Sequence, residues 1–149
     1  MKLGIGCLVL SAIFTSACAQ LDYTNYGIIA PTEGQTHGIR DPLNITFNPS
    51  RWRQEATHSI SVSLISANSD APAAKSYTRS LQLIEDMKPN VVLTWNNAET
   101  DAYQIDDIGL AVYFGQPVSP GAWKVVIEER FGSLSGYNTA YWNQDIVLE

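Results

Sequence analysis

Cysteine is nearly absent from this chain: among 149 residues only Cys7 and Cys18 occur, both near the N-terminus. They fall inside a stretch made of Lys2, an apolar run from Ile5 to Phe14 and the small-residue exit Ala17-Cys18-Ala19, which reads as a secretory signal peptide. Cleavage after Ala19 predicts a mature domain spanning 20–149 with neither a disulfide nor a cysteine nucleophile, so its stability has to come from a packed core. The apolar run is too short to cross about 30 Å of hydrocarbon at about 1.5 Å per residue, which argues against a membrane span. Acylation of Cys18 is the alternative processing route, although Thr15 stands where a lipoprotein signal usually carries Leu. The expected localisation is secreted and extracellular, with association to a cell wall as its variant.

Basic residues are scarce as well. The 9 Lys and Arg are outnumbered by 15 Asp and Glu, leaving a net charge of -6. The cations are scattered apart from Arg51-Trp52-Arg53, and nucleic-acid binding needs them clustered to release counterions, so nucleic acid is excluded as a partner. Only two histidines occur, His37 and His58, and both read as solvated polar residues. The predicted terminus at Gln20 has no histidine with which to bind copper. No linker, repeat or charge block divides the chain, and one monomeric domain is expected.

Helical periodicity is missing too, and strand signals take its place. The clearest is His58 to Ile65, where Ile60, Val62 and Leu64 alternate with Ser59, Ser61 and Ser63; one face is buried and the other wet. Further strands are predicted at Gly27–Ala30, Leu43–Phe47, Tyr77–Ile84, Val91–Trp95, Gly109–Phe114, Trp123–Phe131 and Thr139–Leu148. Turn residues separate them, as in Pro31-Thr32-Glu33-Gly34, Lys88-Pro89-Asn90 and Ser119-Pro120-Gly121. About seven or eight short strands without intervening helices predict an all-β antiparallel sandwich of the immunoglobulin-like or fibronectin-like kind.

The segments Ile28-Ile29-Ala30-Pro31-Thr32-Glu33-Gly34, Leu43-Asn44-Ile45-Thr46-Phe47 and Pro120-Gly121-Ala122-Trp123-Lys124-Val125-Val126-Ile127 together resemble the immunoglobulin-like N-terminal domain of fungal secreted and cell-wall proteins, of the β-glucan-assembly and Ser/Thr-rich GPI-anchored type. The resemblance implies a fungal secreted protein with a role at the cell surface.

No residue set points to catalysis. In Gly132-Ser133-Leu134-Ser135-Gly136 the nucleophile position holds Leu134, and a hairpin surrounds it where a strand-to-helix elbow is required. Glu128 and Glu129 are adjacent in a strand and point to opposite faces, so they do not converge on one sugar. Glu85-Asp86 is a candidate by composition only, and Glu99, Asp101, Asp106 and Asp107 read as a solvated acidic loop without the spacing of a calcium loop. The chain is therefore expected to be non-enzymatic, without cofactor or metal.

Binding is the better-supported expectation. Exposed aromatic rings beside amides can stack on sugars or anchor protein interfaces. Trp52 with Arg51 and Arg53, and Tyr137, Asn138, Tyr141 and Asn143, are the candidate ligand-binding residues, whereas Trp142 falls on the inward side of its strand. Asn44-Ile45-Thr46 is an acceptor for N-glycosylation on a wet strand face. The predicted partner is an extracellular polysaccharide or a surface or host protein. The expected role is that of a secreted binding protein or effector, with structural wall assembly and a carbohydrate-active hydrolase or accessory domain as alternatives.

Overall fold

The computed structural model describes residues 26–49, 56–67, 80–95, 98–110, 118–133 and 136–149. These form strands β1 (Gly27–Ala30), β2 (Gln35–His37), β3 (Leu43–Asn48), β4 (Ala56–Ser66), β5 (Ser80–Met87), β6 (Val91–Trp95), β7 (Ala98–Ile108), β8 (Gly121–Ser133) and β9 (Gly136–Leu148). Two sheets result, one ordered β1-β3-β7-β6 and the other β2-β9-β8-β4-β5. No described helix is long and apolar enough to cross a membrane.

The alternation read in the sequence is what builds the core. Ile60, Val62 and Leu64 of β4, Val125 and Ile127 of β8, and Ile146 and Leu148 of β9 point inward. They meet Leu43, Ile45 and Phe47 of β3 and Tyr103 and Ile105 of β7 in a single apolar cluster between the sheets. Each such aliphatic side chain, taken fully out of water, stabilises the fold by about 1.5–3 kcal/mol.

Three expectations about the strands are corrected. The stretch containing Glu99, Asp101, Asp106 and Asp107 is strand β7, not a loop. Its inward residues are Tyr103, Ile105 and Ile108, opposite Phe47, Ile45 and Leu43 of β3. The spacing from Ile105 to Ile108 is three residues because Asp106 and Asp107 form a β-bulge, which breaks the period of two. Secondly, Gly109 and Leu110 lie past the end of β7 and not in a strand; residues 111–114 of that expected strand are outside the described residues. Thirdly, pairing is antiparallel except between β2 and β9, which run parallel from Gln35↔Ile146 to His37↔Leu148. The long crossover that parallel neighbours require is here the rest of the chain, since β2 and β9 stand near opposite ends of it. The Pro31–Gly34 turn makes this pairing accessible by carrying the chain from β1 in one sheet to β2 in the other. It closes with Gln35 N–H donating to Thr32 O at 3.0 Å, and with Gly34 at φ 69°.

Two of the bulges contain an aspartate with positive φ, Asp86 at 48° in β5 and Asp107 at 61° in β7. Asp tolerates this conformation better than most residues because its short polar side chain bonds locally. Each also hands its backbone N–H to a neighbouring strand: Asp86 to Ser61 Oγ at 3.1 Å and Asp107 to Asn44 Oδ1 at 2.9 Å.

Candidate binding face on the five-stranded sheet

The residues opposite one another in β5, β4, β8 and β9 form rows across the outer face of the five-stranded sheet, because directly paired residues project to the same side. One row runs from the Glu85-Asp86 bulge through Ser61 and Glu128 to Tyr141. A second holds Gln82, Ser63, Val126 and Asn143, and a third holds Ser59, Arg130 and Thr139. The alternating serines of β4 are thus the floor of a polar surface. Between β5 and β8 that surface is concave, a groove of about 540 Å³ lined by Ser59, Ser61, Ser63, Gln82, Glu85 and Glu128 among others. The size lies within the range of small-ligand sites.

Asp86 closes one side of the groove and is held by its surroundings. Ser59 Oγ donates to Asp86 Oδ1 at 2.5 Å, while Lys88 Nζ and Arg130 Nη1 each lie 3.8 Å from its carboxylate. The Ser59 hydrogen bond first and then the Lys88 charge hold the carboxyl below its ordinary range against desolvation, with Arg130 adding least. A carboxylate engaged by Ser59, Lys88 and Arg130 is poorly suited to donate a proton to a leaving group.

Beneath this face lies a buried carboxylate. Glu129 is fully buried; it accepts from Thr57 Oγ1 on Oε1 at 2.7 Å and from Trp142 Nε1 on Oε2 at 2.9 Å. Trp142 also packs edge-on against Phe47 at 5.5 Å, and Phe47 lies 6.0 Å from the Tyr103 ring. Burial, followed by the charge of Glu129, pushes the Tyr103 hydroxyl well above its ordinary pKa. Among the described residues that hydroxyl has no hydrogen-bond partner. Glu129 therefore serves the core, and Glu128 alone of the pair reaches the groove. Among the described residues, no cluster of three or more His, Cys, Asp or Glu could hold a metal ion.

The sequence candidates divide. Tyr141 and Asn143 are exposed on the outer face, beside Glu128 and Val126 of the groove. Tyr137 is 72% exposed at the end of the β8–β9 hairpin, where its ring meets that of His58 edge-on at 4.7 Å. Asn138 is exposed as well, but alternation places it on the opposite face from Tyr137. Arg51, Trp52 and Arg53 lie outside the described residues. Asn44 is exposed on β3 in the other sheet, remote from the groove, with its Oδ1 engaged by Asp107. Trp142 and Trp123 pack against the core, as their strand positions predict. The half-buried His58 is not a free polar residue, since its ring is engaged by Tyr137. His37 lies in β2, where Nε2 is 3.1 Å from Asp41 O.

The serine face itself was legible as the wet side of β4, but its joining to Glu85, Glu128 and Tyr141 was not, since that depends on which strands become neighbours. No protein-family model matches the chain, and no curated protein matches it in sequence.

Proposed function

We propose that this chain is a small secreted, non-enzymatic protein that binds an extracellular polysaccharide through the outer face of its five-stranded sheet, at a cell surface or wall or against a host. The observation that carries this reading is the row Glu85-Asp86, Ser61, Glu128 and Tyr141, which crosses four adjacent strands and opens into the groove. The hydroxyls of Ser61 and Ser63 offer O–H donors to a hydroxyl-rich ligand, and a neighbouring phenol ring offers an apolar surface to a sugar face. Rigid strands hold these groups in register before binding, which lowers the ordering cost. A hydrolase is less well supported, because Asp86 is consumed by Ser59, Lys88 and Arg130 and Glu129 is turned into the core.

An immunoglobulin-like sandwich is the fold reading that goes with it. When the strands are lettered along the chain with β2 as an offshoot of the first, the sheet β1-β3-β7-β6 takes the order A-B-E-D, and β9-β8-β4-β5 takes G-F-C-C′. The test of function is binding of purified protein to an array of extracellular polysaccharide fragments. Specific binding is expected, and it should weaken by about 1–4 kcal/mol in Tyr141→Ala with the fold intact. Binding confined to a surface or host protein, or an unaffected Tyr141→Ala variant, would overturn the reading.

A further inference from the structure

We infer that the groove selects a cationic saccharide, a chain of 2-amino sugars with free ammonium groups, over neutral or acidic polysaccharides; this deepens the polysaccharide-binding reading and rests on it. The charges in the groove are not equivalent. Asp86 is matched by Arg130 and Lys88 at 3.8 Å each, so its carboxylate and the Arg130 guanidinium occupy one another. Glu85 and Glu128 have no cationic partner among the described residues, and both line the groove. They flank the Ser61 position from β5 and β8 respectively. Two strand spacings of about 4.8 Å separate those strands, so the carboxylates stand on either side of a hydroxyl floor wide enough for one sugar ring.

A neutral sugar seated there would satisfy the serines yet strip water from two unpaired carboxylates, which is unfavourable. An acidic sugar would add repulsion, and Arg130 is already engaged. A sugar that carries an ammonium group supplies the missing charge at the same place as its hydroxyls, giving charge-assisted hydrogen bonds in addition to neutral ones. Tyr141, the next residue in the row after Glu128, adds an aromatic ring whose face also attracts an ammonium group.

The experiment titrates purified protein with a glucosamine hexamer and, separately, with an N-acetylglucosamine hexamer and a neutral glucan hexamer, each at low and high salt. The glucosamine hexamer is expected to bind about tenfold or more tightly than either neutral oligomer, with the advantage shrinking at high salt. Glu85→Gln and Glu128→Gln keep the shape of each side chain. Each is expected to erase most of that advantage, while Glu99→Gln on the other sheet leaves it unchanged. Equal affinity for the three hexamers, with Tyr141→Ala still weakening all of them, would overturn the cation preference and spare the polysaccharide reading. Retention of the glucosamine preference by both Gln variants would place the charge selectivity elsewhere and overturn this site. Failure of every hexamer to bind would overturn both.

Discussion

Trp142 donates its indole N–H to Glu129 Oε2 at 2.9 Å, joining β9 to β8 inside the core, while the Thr57 hydroxyl of β4 fills the other carboxylate oxygen at 2.7 Å. Three neighbouring strands are thereby tied through a single buried acid. Removing one donor takes a hydrogen bond away from a carboxyl oxygen held out of water, which costs about 1–3 kcal/mol. Trp142→Phe and Thr57→Val should each destabilise the protein by about that amount in chemical denaturation. The double variant should depart from additivity, because both act on the same carboxylate. Additive losses would show that the two bonds are independent.

The phase of β4 explains why this cluster was hidden. Strict alternation from Ser59, Ser61 and Ser63 would put Thr57 on the wet face. A bulge between Thr57, which pairs with Phe131, and Ser59, which pairs with Arg130, instead turns Thr57 inward. The apolar positions Ile60, Val62 and Leu64 were legible because burial is repeated at every second residue. Strand β7 was obscured for the same physical reason as Thr57, since the Asp106-Asp107 bulge shifts the period near its end. The β2–β9 pairing was unreadable for a different one: three polar residues, Gln35 to His37, carry no local signal of a partner more than a hundred residues away.

Val62 is completely buried between the sheets. Val62→Asp should place an unpaired carboxylate in an apolar core and cost several kcal/mol, enough to unfold a domain of ordinary stability. Ser63→Thr, on the wet face of the same strand, should change the unfolding free energy by no more than about 0.5 kcal/mol. Similar effects from the two substitutions would contradict the register of β4.

Asp86 has its folded-state pKa below the ordinary carboxyl value of 3.8, chiefly because of the Ser59 hydrogen bond and then Lys88. A depressed carboxyl pKa contributes stability that is present in full above the unfolded-state value and is lost as pH falls through the folded-state value. Wild-type protein should therefore lose stability on acidification below about pH 4, an acid limb to which Asp86 contributes. Asp86→Asn keeps a residue that tolerates positive φ but removes the charge, so its acid limb should be shallower when unfolding is followed across that window. Parallel curves for the two proteins would refute this assignment.

Gly132 stands where the β8–β9 hairpin closes against β4. A Cβ there would come within 2.8 Å of Gly136 O and of Tyr137 Cδ1, and within 3.2 Å of His58 Nε2. Tyr137 could swing aside, but the backbone oxygen of the paired strand cannot. Gly132→Ala should thus cost about 1–3 kcal/mol by overpacking and should disturb the His58–Tyr137 ring contact, visible as altered ring shifts of His58. A variant as stable as wild type would mean that the hairpin end relaxes freely.

Asn44 has an architectural role separable from its expected modification. Its Oδ1 accepts the N–H of Asp107 at 2.9 Å and holds the β7 bulge, whereas a glycan would be attached through Nδ2, leaving that acceptor in place. Asn44→Asp retains an acceptor in the same position and should fold like wild type, while Asn44→Ala loses it and should cost about 0.5–1.5 kcal/mol. Both substitutions destroy the glycosylation signal. Produced in a eukaryotic secretory host, wild-type protein is expected to run heavier than either variant until it is enzymatically deglycosylated. Thr46→Val supplies the third comparison, since it removes the signal without touching the Asn44 side chain. It should abolish the mobility shift while keeping the Asp107 hydrogen bond. Equal stability of Asn44→Ala and Asn44→Asp would show that the bulge holds itself, and an unshifted wild-type band would show that the site is not modified.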